Sequence, residues 1–301
     1  MLPKGQPLTD ARDDLQIATL LARAGSRERL LDYLETGITE GISGVMPKTL
    51  ALKATATLSD YIVKTGRQDL PGLAINEYLC LEVARKAGLH VPQTTLSRDG
   101  EVLAIKRFDR TESGEWLGLE DFSALKGLDP VSKYRGSLED IAKLLSIYVP
   151  QNRLSESASR LHKLLLLNYA LRNADAHLKN IALTYTSTAD VTLAPVYDVV
   201  TVTAYPDFRN DLPGLTLCGK KVWRSGKLLH QYGAVRLSLT GPQMATSVEE
   251  VSTAITETAP LVRQLVDSYP AFREIGNLYA AEGCAGHIDR ASAGRPAAAD
   301  G

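Results

Sequence analysis

Apolar and polar residues alternate in the first third of the chain, with the period of two that is typical of β-strands. The pattern predicts short strands within 49–64 and at 91–96 and 102–108. A turn at Asp99-Gly100 joins the last two strands. Helical spacing in 15–34 predicts an N-terminal entry segment, and a further helix is predicted at 73–87, ended by Gly88.

Beyond Arg110 the apolar spacing becomes mostly helical. Ser137 and Asp140 have the spacing of a capping box, which predicts a helix start. Further helices are predicted at about 157–172, 247–267 and 270–282, with a hairpin made by 181–185 and 191–197. The Gly- and Ala-rich tail from about 283 is predicted to be disordered. The fold class is therefore α+β, in two lobes.

The predicted domains are an entry segment at 1–40, a β-rich N-lobe at 41–110, a helical C-lobe at 111–282 and the tail. The formal net charge of −1 gives the whole chain no bias toward nucleic acid or membranes. The cysteines, Cys80, Cys218 and Cys284, lie far apart, which predicts reduced thiols in a cytoplasm rather than a zinc site. The sequence shows neither a signal peptide pattern nor a long apolar run, which also predicts a cytoplasmic protein.

The polar loop 173–180 is the strongest chemical signal in the chain. Asp175 and Asn180 lie five residues apart, and Asp198 follows the predicted hairpin. Phosphoryl transfer uses one carboxylate at the attacking hydroxyl, and an amide with a second carboxylate to hold magnesium. The alternative is a polar turn whose side chains only cap backbone groups. For His177, a hydrogen bond that stabilises the loop is favoured over metal ligation.

The predicted N-lobe holds weaker signals for nucleotide binding. The run 41–49 has two glycines, which allow backbone N–H groups to approach phosphate, but it is not a Walker A loop. Lys64 ends a strand, where it could reach phosphates and pair with Glu77. The alternative is a surface lysine and a solvated glutamate. Backbone groups near Lys106, with the ring of Phe108, could contact adenine at the lobe junction.

Together these motifs resemble the HipA-like serine/threonine kinases, the toxins of bacterial type II toxin–antitoxin pairs. The resemblance covers roughly 38–280, and its motifs are Gly41-Ile42-Ser43-Gly44 with Lys48-Thr49, Asn76-Glu77-Tyr78, Lys106 to Arg110, Asn173 to Asn180, and Ala194-Pro195 with Tyr197-Asp198. It implies a two-lobed kinase-like fold that uses ATP and magnesium. It also implies phosphorylation of a serine on an aminoacyl-tRNA synthetase, which stops growth and promotes persistence.

The resemblance also implies a role for each matching residue. Asp175 is the expected catalytic residue, and Asn180 and Asp198 are the expected magnesium ligands. The expected ATP contacts are Ser43, Gly44, Val45, Lys48, Lys64, Lys106, Phe108, His177 and Lys179. The implied partner is a helix-turn-helix antitoxin resembling HipB, through which the toxin reaches operator DNA indirectly.

Two departures from the family pattern change the expectations. Only 40 residues precede Gly41, which resembles the short HipT-like branch and implies a small companion protein similar to HipS. Gly41 stands where many members have a serine, so Ser43 is the remaining candidate for autophosphorylation. A phosphate there adds about −1.5 to −2 charges, and Ser43→Asp is therefore expected to weaken ATP binding.

Other functions stay open at this point. The chain could be a kinase with another protein or small-molecule target, or a catalytically silent binding or repressor subunit. The basic residues Arg209, Lys220, Lys221 and Arg224 could dock a target, although a solvated face is favoured.

Overall fold

The structure is a computed structural model, and it describes residues 17–39, 53–58, 60–111, 113–223 and 227–281. The helices are α1 Ile17–Ala22, α2 Ser26–Thr39, α3 Leu73–Lys86, α4 Phe122–Leu125, α5 Leu138–Tyr148, α6 Gln151–Ala170, α7 Lys227–Arg236, α8 Gly241–Ser268 and α9 Arg273–Ala281. The strands are β1 Lys53–Thr57, β2 Tyr61–Gly66, β3 Thr94–Leu96, β4 Val102–Lys106, β5 Gly118–Asp121, β6 Ala182–Tyr185 and β7 Thr192–Leu193. No described helix is both long and apolar enough to cross a membrane.

The chain divides into two compact units. The first contains Met1–Ile75 and Gln93–Arg107, and the second contains Asn76–Pro92 and Phe108–Gly301. The domain limits predicted from the sequence, at 40, 110 and 282, stay predictions.

The first unit is built on an antiparallel sheet with strand order β1-β2-β4-β3. β2 is an inner strand, and it places Lys64 opposite Thr55 on β1 and Leu103 on β4. Apolar residues of α1 and α2 share a core with the sheet, formed by Leu20, Leu30, Leu34, Ala56, Val63 and Val102. The strands predicted here are present, and the helical segments that precede them cover one face.

The second unit combines helices with a small antiparallel sheet, β5-β6-β7. The capping box predicted for α5 is confirmed, because Ser137 accepts from the N–H of Asp140 and Asp140 accepts from the N–H of Ser137. α6 is the central helix of this unit and packs against α5, α7 and α8. Its buried face includes Leu161, Leu164 and Leu165, as the periodicity predicts.

The hairpin after α6 is shorter than predicted. β7 contains only Thr192 and Leu193, and the segment 194–197 leaves the ladder after the N–H of Ala194 bonds to Ala182 O. Pro195 has no N–H to continue the pairing, and the N–H of Val196 donates instead to His90 O at 2.7 Å. The sequence interpretation also missed β5 and α7, and it began α6 six residues too late.

Candidate active site

The loop between α6 and β6 carries Asp175, and asparagine hydrogen bonds fix its first turn. α6 ends at Ala170, and Arg172 then adopts a left-handed backbone with φ of 49°. Asn173 donates through its backbone N–H and its Nδ2 to the two oxygens of Asn168, both at 2.9 Å. The loop is therefore anchored to the end of α6, whose apolar face is buried.

The backbone at Gly214 packs tightly against the same loop. At Gly214 an added Cβ would lie 2.3 Å from Ala176 O, a distance that no side chain tolerates. Only glycine therefore fits at this position. This contact packs the backbone at Gly214 against the residues that flank Asp175.

Asp175 forms a cluster with Tyr134 and His177, which we call the Asp175 cluster. The Tyr134 hydroxyl donates to Asp175 Oδ1, and His177 Nε2 lies 3.9 Å from the same oxygen. The rings of Tyr134 and His177 meet edge to face, with centroids 5.1 Å apart. Asp175 is half-buried, whereas His177 is buried.

His177 is a neutral imidazole in this environment. Burial lowers its pKa to about 4, although the nearby Asp175 carboxylate opposes that effect. Its backbone N–H donates to Asn180 Oδ1 at 2.9 Å, which stabilises the loop. A stabilising hydrogen bond from the imidazole itself stays a prediction. A contact of His177 with ATP stays a prediction.

Asn180 and Asp198 lie side by side, and we call them the Asn180–Asp198 pair. Asn180 Nδ2 donates to Asp198 Oδ2 at 3.1 Å, across 18 residues of sequence. Asp198 has a left-handed backbone with φ of 59°, which costs energy for a non-glycine residue. The sequence predicted this proximity from residue types and spacing, and the structure brings the two side chains together.

The donor set of this pair fits magnesium. Magnesium prefers carboxylate and amide oxygens and completes its shell with water and phosphate. In the described part of the chain, no three His, Cys, Asp or Glu side chains form a group that could hold a metal. The Asn180 oxygen accepts one hydrogen bond, from the His177 N–H, and keeps a second lone pair.

A buried network supports the segment that follows Asp198. Asn76, fully buried on α3, binds both backbone groups of Thr201: Thr201 N donates to Oδ1 at 3.0 Å, and Nδ2 donates to Thr201 O at 3.1 Å. The Thr201 hydroxyl contacts the Tyr279 hydroxyl, which lies 2.8 Å from Cys80 Sγ. Burial raises the pKa of Cys80 to about 11, so this thiol stays protonated.

Lys179 and Phe108 have partners within the second unit. Lys179 Nζ forms an ion pair with Asp121 Oδ2 at 2.7 Å, and Lys179 O accepts from the Tyr197 hydroxyl at 2.8 Å. The Phe108 ring packs on Tyr197 with centroids 5.5 Å apart. Their roles as ATP contacts stay predictions, and the geometry gives the Lys179 ammonium a competing partner.

Lys64 and Glu77 are both buried, with 8% and 1% of their surfaces exposed. The alternative of a surface lysine and a solvated glutamate is therefore wrong, while a pairing between them stays a prediction. Lys106 has an exposed side chain, and its backbone N–H is already bonded to Gln93 O at 2.8 Å. That N–H would have to exchange partners before it could bind adenine.

Several predicted residues lie outside the described residues. They are Ser43, Gly44, Val45, Lys48 and Arg224. Among the other basic residues, Arg209 and Lys220 are exposed, as expected for a solvated face. Lys221 differs, because its Nζ lies 5.8 Å from the centroid of the Tyr134 ring.

Tyr134 and Asp121 are site residues that the sequence interpretation missed. Tyr134 lies in a Lys-Tyr-Arg run with no motif, so no local signal could have found it. Asp121 does carry a signal, because it caps α4 by accepting from the N–H of Ala124. Its contact with Lys179 spans 58 residues and depends on the pairing of β5 with β6.

Two solved structures share this fold. The HipA–HipB–operator DNA complex of the toxin–antitoxin system of Shewanella oneidensis matches with a TM-score of 0.60 and 17% identity, over 87% of this chain and 73% of that one. The proinflammatory kinase CtkA of Helicobacter pylori matches with a TM-score of 0.55 and 17% identity, over 80% of this chain and 90% of that one. The predicted α+β, kinase-like fold is thereby confirmed.

Curated relatives match over part of their length. "Putative kinase Y4dM" of Sinorhizobium fredii is 32% identical over 171 residues, which cover 52% of this chain and 41% of the relative. A "Putative kinase" of Haemophilus influenzae is 29% identical over 201 residues, which cover 60% of this chain and 58% of the relative. The chain thus spans about half the length of these relatives.

A family model described as the HipA-like C-terminal domain matches residues 41–259. The matched segment includes Lys64, Asp175, Asn180 and Asp198. Because this segment is well over half of the chain, the protein belongs to the family with a HipA-like C-terminal domain.

Proposed function

We propose that this protein is an ATP- and magnesium-dependent serine/threonine protein kinase. The observation that carries the proposal is that Asp175 and Asn180 share the loop between α6 and β6, and that Asp198 lies beside Asn180. The Asn180–Asp198 contact at 3.1 Å supports a shared metal, and Asp175 lies five residues before Asn180. Phosphoryl transfer needs this combination of carboxylates and amide.

Each residue has a stated role in this proposal. Asp175 accepts or orients the proton of the substrate hydroxyl, while Asn180 and Asp198 hold the magnesium ion. Magnesium, when bound, neutralises phosphate charge that develops during transfer. Lys64 contacts phosphate and pairs with Glu77.

Other residues would bind the nucleotide. The loop residues Ser43, Gly44, Val45 and Lys48 would surround the phosphates, and Lys106 and Phe108 would face the adenine. His177 is a further candidate contact, whereas Lys179 would first have to leave its ion pair with Asp121.

We further propose a toxin role within a type II toxin–antitoxin system of the bacterial cytoplasm. The fold match to a HipA protein solved with HipB and operator DNA supports this class of partner. The target would be a serine of an aminoacyl-tRNA synthetase, and the antitoxin a helix-turn-helix protein. Membership of the short HipT-like branch, with a small companion protein, and autophosphorylation at Ser43 belong to the same proposal.

A labelled-phosphate assay tests the proposal. Purified protein with magnesium and γ-labelled ATP should transfer phosphate to a protein acceptor, and Asp175→Asn should lower the rate by about 10²- to 10⁴-fold, the range for removal of a general base. Asp267→Asn, an exposed position on α8, is the matched control and should keep the full rate.

The acceptor identifies the target. Phosphoproteomics after expression should show a synthetase serine as the dominant new site, and Asp175→Asn should remove growth inhibition. A dominant site on another protein or a small molecule would overturn the synthetase target. No transfer to any acceptor by folded protein would overturn the kinase, and would favour a silent binding subunit.

A further inference from the structure

We propose that Tyr134 is a positioning residue for Asp175, which holds one carboxylate oxygen so that the other faces the acceptor hydroxyl. The inference rests on the proposed kinase function and adds a residue to its machinery. The observation that carries it is the hydrogen bond from the Tyr134 hydroxyl to Asp175 Oδ1.

The two oxygens of Asp175 have different surroundings. Oδ1 accepts from Tyr134 and lies 3.9 Å from His177 Nε2. Within the described part of the chain, Oδ2 makes no hydrogen bond. A carboxylate has about four lone-pair sites on two oxygens, so a bond to Oδ1 leaves Oδ2 free to accept a second hydroxyl.

The Tyr134 ring is held from several directions. Its centroid lies 5.1 Å from that of His177 in an edge-to-face contact. Lys133 Nζ and Lys221 Nζ lie 5.0 Å and 5.8 Å from the same centroid, within the range of cation–π attraction. These contacts restrict the ring, which favours a fixed support over a gate that swings away when substrate binds.

The backbone next to Tyr134 is hydrogen-bonded to the loop that carries Asp175. The N–H of Leu178 donates to Lys133 O at 3.2 Å. At Gly136 an added Cβ would lie 2.7 Å from Leu178 Cδ1, so the two segments pack closely. Tyr134 and Asp175 are therefore parts of one local framework, although 41 residues separate them.

The phenol is a reliable donor at this place. Burial and the negative charge of Asp175 raise the pKa of Tyr134 above its ordinary value, with smaller effects from Asp211 and Asp198. The hydroxyl thus keeps its proton at neutral pH and donates a hydrogen bond to the carboxylate. A donor in this position restricts rotation of the carboxylate and gives it a single orientation for reaction.

Tyr134→Phe tests the role, because it removes the hydroxyl and keeps the ring. The expected result is a kcat lowered about 10- to 100-fold, the range for loss of a hydrogen bond to a charged group, with unchanged KM for ATP and for the acceptor. The melting temperature should not change, because Tyr134 is 39% exposed. Tyr148→Phe on α5, where the tyrosine is 43% exposed, is the control and should behave as the parent protein.

The other outcomes separate this inference from its rivals. An unchanged kcat would overturn it. A lower acceptor KM with a raised kcat would show that Tyr134 is a gate, and phosphotyrosine at 134 in the parent protein would show that it is an acceptor; either result overturns the positioning role.

If the parent protein transfers no phosphate, the kinase proposal is overturned, and this inference, which rests on it, is overturned as well. A crystal structure of Tyr134→Phe gives an independent measurement, because the Asp175 carboxylate should then adopt more than one orientation. A single unchanged orientation would contradict the inference.

Discussion

The Asp175 cluster and the Asn180–Asp198 pair both include residues of the loop between α6 and β6, but they are held in different ways. Asp175 is half-buried and is oriented by side chains, through the Tyr134 hydroxyl and the His177 ring. The Asn180–Asp198 pair is supported by backbone bonds, at His177 N–H and at Thr201. Both kinds of support restrict the functional side chains, which is what a preorganised site requires.

Asn76→Ala should produce the largest effect, because it should lower both the stability of the fold and the magnesium-dependent binding of ATP. It leaves the buried N–H and C=O of Thr201 without partners, which costs about 1–3 kcal/mol of folding free energy for each unsatisfied group. Because Thr201 follows Asp198 closely, magnesium-dependent ATP binding should also weaken about 10- to 100-fold, as for loss of an outer support of a metal site.

Urea unfolding and a magnesium titration of activity measure the two effects of Asn76→Ala. Thr253→Ala, at an exposed position on α8, is the control. A variant with lower stability but an unchanged magnesium midpoint would show that Asn76 supports the fold alone.

The sequence predicted that Asn180 and Asp198 lie close together, but it did not predict the support of Asp175 by Tyr134. Asn180 and Asp198 are close in sequence, and residue type with spacing identifies them. Tyr134 reaches Asp175 from 41 residues away, through packing at Gly136 and Leu178 that no local pattern encodes. β7 is short because Pro195 cannot continue the pairing. Pro195 is visible in the sequence, but the alternation of apolar residues around it favoured a longer strand.

Acid should destabilise the fold through its buried histidines. Burial lowers the pKa of His177 and of His162 to about 4, whereas an unfolded histidine titrates near 6.5. The unfolded chain therefore binds protons first as the pH falls. Stability is complete above about pH 6.5 and is lost between about 6.5 and 4, by up to about 3 kcal/mol for each histidine.

Urea unfolding at several pH values checks this dependence. His162→Leu and His177→Gln should each reduce the slope of stability against pH by about half. They should differ in activity at neutral pH, because His177 belongs to the Asp175 cluster and His162 does not. An equal loss of kcat in both variants would mean that His177 acts through stability alone.

Lys179→Met should have the smallest effect. Its ion pair with Asp121 is partly exposed, so its loss should cost at most about 1 kcal/mol. If the ammonium stays with Asp121, the KM for ATP should change little. Lys163→Met, which breaks the Lys163–Glu250 pair between α6 and α8, is the matched control. A KM for ATP raised about tenfold or more in Lys179→Met alone would instead assign Lys179 to the nucleotide.

The most direct test asks whether Asp175 acts on the acceptor while Asp198 holds magnesium. It is a calorimetric measurement of magnesium–ATP binding to Asp175→Asn and to Asp198→Asn. Asp175→Asn should bind magnesium–ATP as the parent protein does, within about twofold, because the proposed role of Asp175 is at the acceptor and not at the metal. Asp198→Asn should bind about 100-fold more weakly, because the variant would lose a proposed metal ligand. Equal binding by the two variants, whether both retain it or both lose it, would contradict this account.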